Sequence, residues 1–246
     1  NITDPRLLEY AKRLALRTIV QRVIGLIGPA RVPTRIERTL HLPSGEGELD
    51  IEETTERILG DRGIGYQDLI VEKRLPKKIA CSLILDSSLS MSGDKLAMAA
   101  ACIAVLAQKM KSFEYAIVNF SDYARVLKNM QQNPRIGSLL EKMLDATPHG
   151  YTNIEAGLKT GLAELNKSGS SRKLGIVITD GNYTVGGDPT RIASLYPKLH
   201  VIMVEDYDSK PSLCQQMASV GNGKFLKIKD FDDLPKTLHN LLRKVA

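Results

Sequence analysis

The sequence contains no tryptophan, and aromatic residues make up only 5% of its 246 residues. It has three cysteines, Cys81, Cys102 and Cys214, an odd number without any Cys-x-x-Cys spacing. This set argues against both a disulfide framework and a zinc site. We therefore expect reduced, buried thiols in a cytoplasmic protein.

Long uninterrupted apolar segments are also missing. The N-terminal stretch from Leu7 to Ile27 is apolar in places, but Lys12, Arg13, Arg17 and Arg22 interrupt it. Four cationic side chains exclude it as a membrane span or as the core of a signal peptide. No Gly-x-x-x-x-Gly-Lys-Ser/Thr loop occurs either, so any ATPase activity would have to come from a separate chain.

What the chain does contain, from residue 79 onward, is a regular alternation of strands and helices. Such alternation predicts an α/β fold with a mostly parallel, doubly wound (Rossmann-like) sheet and helices on both faces. Two segments near residues 115 and 124 are close enough to form a hairpin, so we expect one antiparallel edge strand. The predicted strands are 79–85, 115–120, 124–127, 174–179, 200–204 and 223–228. The predicted helices are 94–111, 136–144, 154–165, 189–195, 212–220 and 234–245.

The first 75 residues have a different pattern. Asp4-Pro5 is a favourable helix start, apolar residues then recur at three- and four-residue steps, and Gly28-Pro29 ends the helix. A short helix over 50–59 and a strand over 69–75 follow. We predict a mainly helical N-terminal extension, residues 1–75, that packs on a core domain formed by residues 76–246.

Polar side chains cluster where core strands of this domain end. Asp86, Ser88 and Ser90 directly follow the apolar strand 79–85, and Asp180 follows strand 174–179. Thr152 lies in the loop that opens the helix 154–165. If the two strands are neighbours, these oxygen ligands converge at one edge of the sheet, where doubly wound folds bind ligands. Carboxylate and hydroxyl oxygens suit a hard cation, for which we expect Mg²⁺, with Mn²⁺ and Ca²⁺ as alternatives.

This constellation resembles the metal-ion-dependent adhesion site (MIDAS) of von Willebrand factor type A domains. Met91-x-Gly93, Gly150 to Ile154 and Thr179-Asp180-Gly181 extend the similarity. The resemblance implies that Ser88, Ser90 and Thr152 contact the cation, while Asp86 and Asp180 act largely through water. It also implies a protein-binding module, not an enzyme, in which the cation captures an acidic residue of a partner protein.

One position departs from the family pattern. Intracellular members commonly have glycine between the two serines, where this chain has Leu89. The leucine leaves all five ligand positions intact and could supply an apolar contact beside the metal.

The segment from Glu48 to Thr54, with the strand and basic turn that follow, resembles intracellular type A proteins of the CoxE and magnesium-chelatase D-subunit kind. Those proteins act with MoxR-like AAA+ ATPases in metal insertion or complex assembly. The resemblance therefore implies an adaptor or co-chaperone with such an ATPase as its partner.

Two other functions are alternatives. A metal-assisted phosphoester hydrolase would use a base, for which His149 is the candidate, but no nucleophile or second metal cluster accompanies it. Nucleic-acid binding would use the formal net charge of +6 and the basic loop from Lys167 to Lys173. The low aromatic content disfavours that function.

Overall fold

The fold is described from a computed structural model. It describes residues 5–27, 34–40, 48–58, 69–76, 78–111, 113–132, 134, 136–144 and 150–245. The chain forms two compact units, one from Asn1–Ala30 with Lys78–Val245 and a smaller one from Arg31–Lys77.

The larger unit is built on a six-stranded sheet in the order β6-β5-β4-β7-β8-β9. In this sheet β4 pairs in parallel with β5 and β7, and β8 pairs in parallel with β7 and β9. The edge pairing of β5 with β6 is antiparallel. The central strand β4 is buried at every position, as expected for a strand covered on both faces. The strands are β4 (Ile79–Asp86), β5 (Glu114–Phe120), β6 (Ala124–Lys128), β7 (Arg172–Thr179), β8 (Leu199–Val204) and β9 (Phe225–Ile228).

Helices cover both faces of this sheet. They are α1 (Pro5–Ile27), α3 (Asp94–Lys109), α4 (Ile136–Leu144), α5 (Ile154–Asn166), α6 (Pro189–Ala193), α7 (Pro211–Val220) and α8 (Asp233–Val245). One buried cluster joins the sheet to α5, α6 and α7, and none of its described members lies in the other four helices. Helix α3 contacts β4 and β8 and is itself contacted by α1, α4 and α8, which places this group on the opposite face.

Helix α3 is enriched in alanine and is buried on nearly all sides. A helix that is apolar all round fits only where other elements enclose it. Helix α1 supplies part of that enclosure, because Leu16, Val20 and Val23 recur on one buried stripe. The Nζ of Lys109, at the end of α3, donates a 2.9 Å hydrogen bond to the carbonyl oxygen of Ile24. Helix α1 therefore belongs to the larger unit.

In its described residues, the smaller unit consists of a three-stranded antiparallel sheet and a helix. Its strand order is β1-β3-β2, from β1 (Thr34–Leu40), β2 (Glu48–Leu49) and β3 (Ile70–Pro76), and its helix is α2 (Ile51–Ile58). Asp50 caps the helix by accepting a 3.1 Å hydrogen bond from the amide of Glu53 and also pairs with Arg38 at 2.8 Å.

The predicted fold class is confirmed: a mostly parallel sheet, one antiparallel edge pairing and helices on both faces. The N-terminal part is organised differently from the single extension predicted for residues 1–75. Helix α1 groups with the larger unit, and the rest forms a separate unit that contains three strands. Strand β1 was not predicted, because Thr34–Leu40 has only two apolar residues and lies in a sheet whose partners are distant in sequence.

Candidate metal centre

The loop after β4 folds back over the end of its own strand. Asp86 is the last residue of β4, and Leu89–Met91 forms a single 3-10 turn. The amide of Ser88 donates to Asp86 Oδ1 at 3.0 Å, and the hydroxyl oxygens of Ser88 and Ser90 lie 3.1 Å apart. Met91 is buried and fixes the turn against the core. Three of the predicted ligand side chains are thus brought together locally.

The neighbouring strand β7 holds the other oxygen of the same carboxylate. The hydroxyl of Thr179 donates to Asp86 Oδ2 at 2.5 Å, and the amide of Gly181 donates to Thr179 Oγ1 at 3.1 Å. Parallel pairing of Leu85 with Ile178 sets the two strand ends at one level. The sequence motif included Thr179 but did not assign it this positioning contact.

Asp86 is completely buried, and this burial changes the pKa of its carboxyl group. Burial raises the pKa of its carboxyl to about 6, and the nearby Asp180 carboxylate adds to the rise. Hydrogen bonds from Thr179 and Ser88 oppose the shift. Two buried carboxylates that repel each other are stabilised when a cation binds beside them.

Asp180 follows β7 and is also fully buried. The amide of Asn182 donates to Asp180 Oδ1 at 3.0 Å, and Lys95 Nζ lies 3.4 Å from Oδ2. Gly181 turns the chain sharply at φ +84°, where an added Cβ would lie 2.7 Å from the Sγ of Cys214. A side chain at this position would therefore strain the turn that follows Asp180.

Thr152 reaches the site from the loop before α5. Its amide donates to Thr184 Oγ1 at 2.9 Å, and its carbonyl accepts from the amide of Thr184 at 3.0 Å. The amide of Asn153 donates to the carbonyl of Ser121 at 2.6 Å. Thr184 follows β7 and Ser121 follows β5, the two strands that flank β4. This loop therefore bridges both sides of the β4 end, and Thr152 is buried there.

The residues at this edge fit a hard divalent cation. They combine two carboxylates with three hydroxyls, and the two carboxylates are buried and mutually repulsive. Among the described residues, no group of three or more His, Cys, Asp or Glu could hold a metal ion. Most of the donors at this edge are instead the hydroxyl oxygens of Ser88, Ser90 and Thr152.

Lys95 also lies at the candidate centre, although no sequence motif placed it there. It lies in the first turn of α3, and its ammonium also contacts Asp206 Oδ2 at 2.9 Å. A cation at a helix N-terminus opposes the helix dipole, and that unfavourable placement is the signal that could have revealed it. Glu205, which also follows β8, pairs instead with Lys227 and Lys229. His149, the candidate base of the hydrolase alternative, lies outside the described residues.

Exposed apolar and aromatic side chains surround the polar centre on the loops of the same sheet edge. Leu89 is 58% exposed and Tyr207 is 98% exposed. Every tyrosine that is classed as exposed among the described side chains lies on these loops, whereas Tyr115 and Tyr196 are buried elsewhere. The remaining members of this rim are Tyr123, Tyr151 and Tyr183.

The profile of the von Willebrand factor type A domain matches residues 82–240. The chain belongs to this family. The match spans the strand end at Asp86, the Thr152 loop and the Asp180 turn. Comparison with curated proteins finds no match.

Solved structures of low sequence identity share the fold of this VWA domain. BatB from Bacteroides thetaiotaomicron is 17% identical, with a TM-score of 0.57 over 68% of this chain and 98% of that one. Proximal thread matrix protein 1 from the mussel byssus, in a form with a zinc-occupied MIDAS motif, is 19% identical, with a TM-score of 0.58 over 68% of this chain and 46% of that one. The pilus adhesin SpaC from Lactobacillus rhamnosus GG is 14% identical, with a TM-score of 0.55 over 69% of this chain and 30% of that one.

In the described part of the chain, no helix combines the length and the apolar character needed to span a bilayer.

Proposed function

We propose that this VWA domain is a cation-dependent protein-binding module. Asp86, Ser88, Ser90, Thr152 and Asp180 hold a divalent cation, with Mg²⁺ as the physiological ion and Mn²⁺ or Ca²⁺ as alternatives. The observation that supports this most strongly is the burial of Asp86 beside Asp180, with hydroxyls as the remaining donors. Hard oxygen donors of this kind select Mg²⁺ over softer metals.

The partner in this proposal is a protein that offers an Asp or Glu side chain. Only the two carboxylates bring negative charge to the ligand set, and Lys95 offsets part of it. A divalent cation at this position therefore keeps affinity for one further carboxylate. The exposed tyrosines and Leu89 provide apolar contact area around that point, which is typical of protein interfaces. No bond is broken in this proposed function, which is binding and not catalysis.

Metal binding is tested by titrating Mg²⁺ into the wild-type chain and into Asp86→Ala, with calorimetry and thermal denaturation as readouts. The wild type should bind Mg²⁺ and gain thermal stability from it, because a ligand that binds only the folded state stabilises that state. Asp86→Ala should do neither. Asp232→Ala, which removes an exposed carboxylate before α8, is the matched control and should behave as wild type.

Carboxylate capture is tested with a random peptide display library, bound in Mg²⁺ and eluted with EDTA. Enriched peptides should share an Asp or Glu, and replacing it with Asn or Gln should abolish binding. Peptides that bind equally well in EDTA, or to Asp86→Ala, would contradict the proposal.

The broader role that we propose is that of a cytoplasmic adaptor or co-chaperone for a MoxR-like AAA+ ATPase in metal insertion or complex assembly. The support is the similarity of residues 48–54 and of the following strand and basic turn to CoxE-type proteins. In the structure these residues form β2, α2 and β3 of the smaller unit. Co-purification with a MoxR-like ATPase, lost on deleting residues 31–77 but retained with Asp232→Ala, is the expected result.

A further inference from the structure

Lys95 places a positive charge inside the candidate metal centre. Side chains of a helix tilt toward its N-terminus, and the N-terminus of α3 faces the end of β4, so Lys95 points back over the sheet edge. Its side chain is 16% exposed, and its ammonium lies 3.4 Å from Asp180 Oδ2. The side chain of Asp180 is completely buried. The ammonium therefore neutralises a carboxylate that the metal also needs.

The same ammonium has a second acceptor. It lies 2.9 Å from Asp206 Oδ2, and the side chain of Asp206 is 53% exposed. Asp180 follows β7 and Asp206 follows β8, which are adjacent parallel strands. Lys95 thus lies between the buried carboxylate of Asp180 and the solvent-accessible carboxylate of Asp206, and its contact with Asp206 is the shorter of the two.

We propose that Lys95 is a resident counter-cation that competes with the divalent ion for Asp180, and that Asp206 takes up its ammonium when the divalent ion binds. The proposal rests on the proposed function, since it assumes a divalent cation at this centre. Two cations close to one buried carboxylate repel each other, so Lys95 lowers metal affinity. Asp206 offsets this effect by giving the ammonium an alternative partner near the surface.

The test is the Mg²⁺ affinity of purified variants, measured by calorimetry at constant ionic strength. Lys95→Met keeps most of the aliphatic stem but removes the charge, and should bind Mg²⁺ at least about tenfold more tightly than wild type. Asp206→Asn should bind more weakly, because the ammonium then has only Asp180 as its charged acceptor. In the double variant the Asp206→Asn change should have little effect, since no ammonium is left to redirect.

Lys210→Met is the matched control. The backbone amide of Lys210 donates to the Asp180 carbonyl at 2.9 Å, and the residue is exposed. The change removes one positive charge close to the centre without removing an ammonium from Asp180. Its affinity should change much less than that of Lys95→Met, since an exposed charge is screened by solvent.

The possible outcomes separate the two proposals. Suppose that wild type binds Mg²⁺ and that Lys95→Met binds it no more tightly, or gains no more affinity than Lys210→Met does. The role of Lys95 is then overturned, and the metal site stands. If neither wild type nor Lys95→Met binds Mg²⁺, both proposals are overturned. Tighter Mg²⁺ binding by Lys95→Met than by wild type, beyond the gain seen in Lys210→Met, would support both, as would a loss of affinity in Asp206→Asn that the Lys95→Met background removes.

Discussion

At the scale of single residues, the candidate metal centre depends on how Asp86 is held. Both carboxylate oxygens already accept one hydrogen bond each, from the Ser88 amide and from the Thr179 hydroxyl. Each oxygen retains further acceptor capacity. The carboxylate is thus fixed in orientation before any ligand arrives, which reduces the entropy that metal binding must overcome.

Thr179→Val tests this positioning role. Valine preserves the shape of threonine but removes the donor to Asp86 and leaves the Gly181 amide without its acceptor. Loss of a buried hydrogen bond should lower the free energy of unfolding by about 1–3 kcal/mol. Mg²⁺ affinity should also fall, because Asp86 is no longer fixed.

The matched control is Thr160→Val, at a half-buried threonine of α5 outside the candidate centre. It should leave Mg²⁺ affinity at the wild-type value. Calorimetry and urea denaturation measure the two quantities, and wild-type Mg²⁺ affinity in Thr179→Val would show that Thr179 does not position Asp86.

The sequence predicted the ligand residues better than it predicted their neighbours. Asp86, Ser88 and Ser90 are close in sequence, so their proximity follows from one short loop. Lys95 could not be assigned to the site, because its role depends on the direction of α3 and on the separate loops that bring Asp180 and Asp206.

At the scale of elements, the close approach of α5 to the sheet positions the Thr152 loop. Asn153 caps this helix by accepting a 2.9 Å hydrogen bond from the amide of Ala156. One turn later, Gly157 faces the ring of Phe120 so closely that a Cβ would lie 2.5 Å from its Cδ1. Only glycine allows α5 to lie at this distance from β5.

Gly157→Ala should therefore displace α5 and destabilise the protein. The overpacking penalty is about 1–3 kcal/mol, reduced by the better helix propensity of alanine. Gly25→Ala is the matched control, since Gly25 lies in α1 with no heavy atom within 4 Å of its ideal Cβ. The free energy of unfolding of this control should rise by up to about 1 kcal/mol. Chemical denaturation measures both, and equal stabilisation of the two variants would show that α5 is not held close by Gly157.

A second element-level prediction concerns β8, where His200 is buried. Its Nδ1 accepts a 3.0 Å hydrogen bond from the Lys224 amide, and its Nε2 has no hydrogen-bond partner among the described residues. Burial, with the nearby charges of Lys198 and Lys224, lowers its pKa from 6.5 to about 4. As the pH falls through 6.5, the unfolded chain binds the proton first. The contribution of His200 to stability is complete above pH 6.5 and is lost progressively down to pH 4.

The loss attributable to His200 over that range should be about 3 kcal/mol at most. His200→Gln should flatten the fall in unfolding free energy between pH 6.5 and 4, as measured by urea denaturation at several pH values. His239→Gln, at an exposed position of α8, is the control and should keep the wild-type slope. An unchanged slope in His200→Gln would rule out this group as the source.

At the scale of the whole molecule, α1 belongs to the larger unit even though residues 31–77 separate it in sequence from the rest of that unit. Its buried stripe covers the outer side of α3, and Arg17 pairs with Glu141 of α4 at 2.6 Å. The VWA profile begins at residue 82, so the larger unit contains one helix more than the family match covers. Helix α1 is thus a structural part of the larger unit.

Val20→Ala tests that assignment. Val20 is 2% exposed, so truncation leaves a small cavity between α1 and its neighbours, and the free energy of unfolding should fall by about 2 kcal/mol. Leu14→Ala is the control on the same helix, because Leu14 is 55% exposed and should lose less than about 0.5 kcal/mol. A separate, earlier unfolding transition for α1 that leaves the main transition unchanged would contradict the assignment.

The sequence by itself determined the alternation of strands and helices, the single antiparallel edge and the oxygen-rich loops at strand ends. These features depend on local patterns: apolar periodicity, helix caps and turns. Only the tertiary structure decided that β4 lies between β5 and β7, that Thr179 fixes Asp86, that Lys95 lies between two carboxylates, and that residues 31–77 form their own sheet. Those relations join residues as distant in the chain as Lys95 and Asp206, and they arise from strand order and helix packing, which no local pattern specifies.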